Sequence, residues 1–386
     1  MKLSHLLPAA LSGAGLIHAA VLPAPDSPYK VQWTSTELVD PARPDPFNAT
    51  HARRIMISRF TPVHPRDCVR TCRVPYMNAF MSSVEDAIID AFVGADIGWP
   101  HGVLGRMELE LCCAVRAPHN TNTKVHDPHH HRRFPTILYG TGRNTTRLLY
   151  SAAAQHLASV GYEVVVMDHP YETDAVQFPD GSVIYGGRVP RDPDAVEALA
   201  AALDVRSRDT TLVLDYLGVG RDEKGVVGFV GDSFGGPAAA DVMRKDARVG
   251  AGVNMDGMMF GPAVDEGVEG PFLMFGSPGH NSSSDETWER FFNATGENYP
   301  RSWMKELSLE GAIHGLLIDF ALVADVAGLR GDDKQVVGNL IGTITGARTM
   351  EILRAYLSDF FEFTLDGKGK GLLAGPSKKY PEVLFL

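Results

Sequence analysis

Apolar positions along the chain become regular from about residue 135 onward. Short apolar runs, which indicate buried strands, alternate with stretches whose apolar residues recur at helical spacing. Strands are predicted at 135–140, 162–169, 226–231, 249–255, 271–276 and 303–311, and helices at 147–161, 193–205, 237–245 and 350–365. This alternation favours a mostly parallel sheet covered by helices on both faces.

The first third of the chain is less regular. Residues 53–60 and 107–115 have strand-like patterns, and apolar residues between Phe80 and Phe92 recur at helical spacing. Such a stripe is more typical of core packing than of lipid docking. We expect residues 21–50 to be an extended lead-in and residues 61–75 to be a loop stapled by cysteines.

The N-terminus has the layout of a secretory signal peptide. One lysine precedes a stretch rich in Leu and Ala, and the small residues Ala19 and Ala20 follow. A buried or frayed helix is the alternative. No later segment has the uninterrupted apolar length of a membrane span. We expect residues 1–20 to be removed, and residues 21–386 to form one extracellular domain.

Cysteines and sequons also indicate export. The chain has four cysteines, which are expected to pair in an oxidising compartment, with three connectivities open: Cys68, Cys72, Cys112 and Cys113. We favour pairing between the 68/72 loop and the 112/113 strand. A zinc site is disfavoured, since neighbouring strand residues point to opposite faces. Four glycosylation sequons begin at Asn48, Asn144, Asn281 and Asn293.

Charge excludes one large class of partners. Among 386 residues, 36 Lys and Arg stand against 47 Asp and Glu, which gives a formal net charge of −11. Such a chain is unsuited to non-specific nucleic-acid binding. The segment HDPHHH at 126–131 contains metal-ligand residue types, but consecutive loop residues rarely converge on one ion. We interpret it as a solvated loop and expect no metal or cofactor.

One motif indicates nucleophilic chemistry. The sequence Gly231-Asp232-Ser233-Phe234-Gly235 matches G-x-S-x-G, with a predicted strand before it and a helix after it. A sharp strand-to-helix turn exposes the serine hydroxyl at the end of the sheet, and the glycines prevent backbone clashes. We therefore expect Ser233 to be a nucleophile and the Phe234 N–H to face a developing oxyanion.

A serine nucleophile needs a base and an orienting acid. His280 and His314 are the only histidines after Ser233. His280 lies in a polar loop and is expected to be solvent-exposed, whereas His314 follows the last predicted strand, so His314 is the expected base. Asp256 ends a strand and is the expected acid, and Asp285 remains the alternative.

A second oxyanion donor is expected in the loop after an early strand. Residues 136–147 supply such a loop, with Gly140 and Gly142 flanking Thr141, whose backbone N–H we assign to this role. A phosphate-binding loop is the alternative, but the segment lacks the lysine and spacing of a P-loop.

With these residues assigned, the chain resembles the secreted, α/β-hydrolase type of platelet-activating factor acetylhydrolase. The resemblance is carried by 137–169, 227–260 and 309–320, and by the short spacing from Ser233 to Asp256. It implies an α/β-hydrolase fold and calcium-independent hydrolysis of short or oxidised sn-2 acyl esters of phospholipids. The implied partners are this substrate and, peripherally, lipid surfaces.

The sequence departs from the family at Asp232, where the family usually has histidine. An acid there could raise the basicity of His314 or disfavour anionic substrates. A secreted carboxylesterase acting on other short-chain, aryl or polymeric esters is the alternative function. A non-enzymatic module on the same scaffold is disfavoured, because a nucleophile, a base and an acid can all be assigned.

Overall fold

The computed structural model describes residues 19–93, 99–116, 134–314, 318–330 and 341–386. Strands are β1 Ala20–Val21, β2 Lys30–Pro44, β3 Ala52–Val63, β4 Cys68–Pro75, β5 Met107–Val115, β6 Thr136–Gly140, β7 Glu163–Met167, β8 Ala175–Gln177, β9 Val183–Tyr185, β10 Val227–Asp232, β11 Val249–Met255, β12 Phe272–Gly276, β13 Met304–Leu309 and β14 Val383–Phe385. Helices are α1 Ala79–Val93, α2 Ser151–Ala158, α3 Val196–Tyr216, α4 Gly235–Lys245, α5 Ala263–Glu266, α6 Glu286–Asn298, α7 Phe320–Val326 and α8 Gly346–Thr364.

A nine-stranded sheet organises the fold, in the order β14-β13-β12-β11-β10-β6-β7-β3-β2. The six strands from β13 to β7 run parallel, and β14, β3 and β2 are antiparallel to their neighbours. Every residue of β6, β7, β10 and β12 is buried, as expected for strands covered on both faces. This is the predicted α/β-hydrolase fold.

Helices form an apolar layer on each side of the sheet. Side chains of α2, α7 and α8 belong to one buried cluster, and those of α3, α4 and α6 belong to another. Helix α3 is continuous from Val196 to Tyr216, so the helix predicted at 193–205 extends past residue 205. None of the helices in the described part of the chain is long and apolar enough to cross a membrane.

The sequence prediction was wrong for two segments before residue 80. Half of the expected lead-in at 21–50 is the edge strand β2, and the expected loop at 61–75 contains β4. Only Val31 and Leu38 of β2 are buried, and no residue of β4 is. β2 and β4 are held by backbone hydrogen bonds to β3 and β5 rather than by buried side chains. Their sequences therefore lack the alternation of apolar and polar residues that identifies a half-buried strand.

Two disulfides join β4 to β5, Cys68 to Cys112 and Cys72 to Cys113. They confirm the predicted pairing between the two segments. Cys112 is buried and Cys113 is exposed, as alternation along a strand requires. With sequence separations of 44 and 41, each bridge taken alone contributes about 4 kcal/mol in the chain-entropy treatment. The disulfides therefore tie β4, which has no buried residue, to the partly buried strand β5.

Candidate active site

Ser233 lies on the turn between β10 and α4. Its φ of 51° is in the left-handed region, which non-glycine residues rarely adopt. A Cβ at Gly231 would lie 1.9 Å from the carbonyl oxygen of Gly235, and a Cβ at Gly235 would lie 2.3 Å from that of Gly140. The turn is therefore too tight for a side chain at either of these two positions, which only glycine can occupy. The start of α4 lies directly behind the serine.

The structure brings together the three side chains assigned from the sequence. His314 Nε2 lies 3.0 Å from Ser233 Oγ, and His314 Nδ1 lies 2.8 Å from Asp256 Oδ2. With the Nδ1–H donated to the carboxylate, Nε2 is left as the acceptor for the serine proton. The arrangement has the hydrogen-bond order of a nucleophile, a base and an orienting acid.

Asp256 follows β11 and has a φ of 58°. The next residue must be glycine, since a Cβ at Gly257 would lie 1.9 Å from the carbonyl oxygen of Ser233. Asn254 closes this turn by accepting from the Gly257 N–H at 2.9 Å and donating to the Gly257 carbonyl at 2.7 Å. The acid turn thus packs against the serine turn, and Asn254, which the sequence analysis did not identify, holds it there.

Asp319, five residues after His314, packs against the start of α2. Its buried carboxylate accepts the N–H groups of Ala152 at 2.7 Å and Ala153 at 3.0 Å, and the Tyr76 hydroxyl at 2.9 Å. Burial raises the pKa of Asp319 to about 7 in spite of these donors. Asp319 is therefore held by the start of α2 and by Tyr76, contacts that the sequence pattern did not reveal.

Hydrogen bonds shift the pKa values of the candidate base, His314, and the candidate acid, Asp256. The bond to Asp256 raises the pKa of His314. Burial alone would raise the pKa of Asp256, but hydrogen bonds from His280, His314 and the Ser277 N–H hold it below its ordinary value. Asp256 is therefore a carboxylate at neutral pH, able to orient and stabilise a protonated His314.

His280 does not lie in solvent as expected. Its side chain is about one-fifth exposed (22%), with Nδ1 2.9 Å from Asp256 Oδ1 and Nε2 2.9 Å from Asp285 Oδ2. Asp285, the alternative acid, thus contacts His280, while His314 contacts Asp256. The sequence analysis missed this contact because a polar loop normally indicates solvent exposure. The loop that contains His280 instead folds back onto Asp256.

The two candidate oxyanion donors lie on adjacent turns. Phe234 begins the turn into α4, and Thr141 follows Gly140, whose carbonyl oxygen nearly touches Gly235. Within the described part of the chain, neither the Phe234 N–H nor the Thr141 N–H donates to a backbone carbonyl. Both groups are therefore available to a ligand oxygen.

Arg206 holds both of these turns. It is buried and donates to the carbonyl oxygens of Thr141 at 2.6 Å and Gly142 at 3.3 Å. Its guanidinium carbon lies 4.9 Å from the centre of the Phe234 ring, and Glu172 pairs with its charge. Moving this buried guanidinium away from its partners would leave an uncompensated buried charge, which is costly. Arg206 therefore fixes the loop that bears Thr141 relative to Phe234.

Asp232 points to the same loop from the other side. It is buried and accepts the Tyr150 hydroxyl at 2.9 Å, while the Gly142 N–H donates to that hydroxyl at 2.8 Å. The peptide between Thr141 and Gly142 is thus held at its carbonyl by Arg206 and at its N–H by Tyr150. Burial raises the pKa of Asp232 to about 7.

In the described ranges, no group of three or more His, Cys, Asp or Glu residues could hold a metal ion. The HDPHHH segment at 126–131 lies outside the described residues, as do residues 1–18 of the predicted signal peptide.

Comparisons of sequence connect this site with known esterases. The profile of the family described as platelet-activating factor acetylhydrolase, isoform II, matches residues 98–178. A probable 1-alkyl-2-acetylglycerophosphocholine esterase of Arthroderma benhamiae is 39% identical over 376 residues, which is 95% of this chain and 94% of the relative. The platelet-activating factor acetylhydrolase of Cavia porcellus is 23% identical over 277 residues, covering 62% of this chain and 61% of the relative.

Comparison of structures gives the same class. A ferulic acid esterase from Streptomyces cinnamoneus superposes with a TM-score of 0.73 at 26% identity, covering 95% of this chain and 99% of that one. Together with the near full-length relative, this establishes the chain as a carboxylic ester hydrolase. The chain belongs to the platelet-activating factor acetylhydrolase family.

Proposed function

We propose that this protein is a serine esterase that removes short or oxidised sn-2 acyl groups from phospholipids without calcium, through an acyl-enzyme. The family relationship supports phospholipid ester hydrolysis as the reaction. The observation that carries the mechanism is the continuous hydrogen-bond chain from Ser233 Oγ through His314 to Asp256.

In the acylation half, His314 Nε2 takes the Ser233 proton as Oγ attacks the ester carbonyl carbon. The carbonyl oxygen becomes an oxyanion and is stabilised by the N–H groups of Phe234 and Thr141. His314 then gives its proton to the departing sn-2 oxygen, which leaves as the hydroxyl of a lysophospholipid. Asp256 remains ionised and stabilises the imidazolium in between.

In the deacylation half, a water molecule attacks the acyl-serine. His314 takes the water proton, the same two N–H groups stabilise the second oxyanion, and Ser233 leaves with the proton returned from His314. The products are a free carboxylic acid and regenerated enzyme. No step changes an oxidation state or requires a cofactor.

A second candidate substrate class is non-phospholipid esters of short-chain, aryl or polymeric type. The match to a ferulic acid esterase over 95% of this chain favours it, because one fold can host esterases that act on different classes of ester. The same residues would perform the same chemistry, so only the substrate distinguishes the two candidates.

The nucleophile is tested by Ser233→Ala. Without Oγ no acyl-enzyme can form, so we expect turnover of a short-chain ester to fall about 10⁶-fold. The matched control is Ser182→Ala, in the exposed turn between β8 and β9, which should retain wild-type kcat and KM. Wild-type turnover by the Ser233 variant would refute the assignment.

The acid is tested by Asp256→Asn. The amide cannot orient His314 in the required tautomer, so we expect kcat to fall about 10⁴-fold with the fold intact by circular dichroism. Asp285→Asn should reduce kcat far less at neutral pH. The opposite ranking of the two variants would mean that the acid comes from the loop after β12.

Calcium dependence and chain-length preference test the substrate proposal. The mechanism assigns the oxyanion charge to backbone N–H groups, so EDTA should leave the hydrolysis rate unchanged. Rates on phospholipids should fall steeply as the sn-2 acyl chain lengthens from acetyl. Loss of activity in EDTA with recovery in calcium contradicts the mechanism, whereas activity only on simple esters selects the second substrate class.

We also propose that the protein is exported and processed near Val21. The N-terminal pattern and four cysteines in two disulfides support this. Mass spectrometry of protein from the culture medium should find a mature chain that starts near Val21 and has no free thiol. Retention of the intact chain in the cell, with residues 1–20 present, would contradict export.

A further inference from the structure

His280 lies between two carboxylates, and the proposed mechanism gives His280 itself no role. One ring nitrogen contacts Asp256 Oδ1 and the other contacts Asp285 Oδ2, each at 2.9 Å. An imidazole can donate from both nitrogens only when it is protonated. Two carboxylate acceptors, one on each side, therefore match an imidazolium.

The neighbouring elements fix this geometry. Asp285 caps α6, where its Oδ1 accepts the Thr287 N–H at 2.8 Å and hydroxyl at 2.6 Å, which leaves Oδ2 for His280. The His280 ring packs on Trp288 with centres 4.5 Å apart. The buried Trp288 indole in turn donates to the Gly257 carbonyl at 2.7 Å, on the acid turn itself.

We propose that His280, held as an imidazolium by Asp285, is a positioning residue that aims Asp256 at His314 and tunes the basicity of His314. This proposal rests on the proposed function, in which His314 is the base. The two oxygens of Asp256 then have different partners. Oδ1 accepts hydrogen bonds from His280 and from the Ser277 N–H, and Oδ2 accepts one from His314.

The charges around the ring support this assignment. Burial alone would lower the pKa of His280, but its hydrogen bonds to Asp256 and Asp285 raise it to about 9. Further titratable groups near this loop are His314, Glu286 beside Asp285, and Glu306. The Glu306 carboxylate accepts the Ser282 N–H and hydroxyl, each at 2.7 Å. Carboxylates thus outnumber cations around His280, which favours its charged form.

A cation at this position affects the base. Asp256 and Asp232 both raise the pKa of His314, and the positive charge of His280 lowers it. His280 therefore offsets part of the negative field, so that His314 stays unprotonated, and able to act as a base, to a lower pH. Without this cation, the acid side of the pH–rate profile should move to higher pH.

The test compares pH profiles of kcat/KM for wild type, Asp285→Asn and His280→Gln, with Ser182→Ala as the control. His280→Gln removes the cation and leaves Asp285 ionised, so the apparent pKa of the acid limb should rise by about 0.5 to 1 pH unit. Asp285→Asn removes the pair of charges together, because Asn can donate to a neutral His280, and should give a smaller rise. The control should match wild type.

The direction in which the acid limb of the pH profile moves distinguishes a positioning role of His280 from a purely structural one. A structural role alone would lower kcat without moving the acid limb, and an unmoved or lowered limb in His280→Gln overturns the proposal. A wild-type limb in Asp285→Asn combined with a raised limb in His280→Gln would remove Asp285 from the assignment and overturn the proposal as stated.

A second measurement does not depend on turnover. In Ser233→Ala, the ring ¹⁵N and ¹³C resonances of His280 followed by NMR should show a doubly protonated ring at pH 7 that titrates well above the ordinary histidine range. A neutral His280 at pH 7 overturns the proposal even if the nucleophile is correct. Activity in Ser233→Ala would instead refute the proposed function, so the two failures can be told apart.

Discussion

Close backbone contact among three turns, those after β6, β10 and β11, is the constraint on which the rest of the site depends. The serine turn touches the β6 turn through Gly235 and Gly140, and it touches the acid turn through the carbonyl of Ser233 and Gly257. A single Cβ at any of the facing glycines would force these turns apart. Their contact gives the candidate oxyanion donors, nucleophile and acid their mutual geometry before any side-chain interaction is considered.

Buried polar groups then fix what the backbone has brought together. Arg206 and Tyr150 hold the two ends of one peptide in the β6 turn, and Asn254 closes the acid turn. Each of these side chains is buried, and a buried polar group without its partner is costly. The turns are therefore restrained from both sides, which is how a site can be preorganised before its substrate arrives.

The sequence predicted those features that local chemistry determines. The G-x-S-x-G turn and the strands of the parallel core have strong local signals, and Asp256 and His314 follow strands that the pattern identified. Strands β2 and β4 were missed because they bury few side chains. Arg206 was missed because its role depends on hydrogen-bond partners 34 to 65 residues away. His280 was missed because its role depends on how its loop folds.

Reaction of the enzyme with a fluorophosphonate, followed by peptide mapping in a mass spectrometer, tests the central claim most directly. The account predicts one adduct per chain, on Ser233, which forms more slowly at low pH as His314 becomes protonated and does not form in His314→Ala at a comparable rate. A stoichiometric adduct on another residue, with Ser233 unmodified and esterase activity lost, would contradict the account.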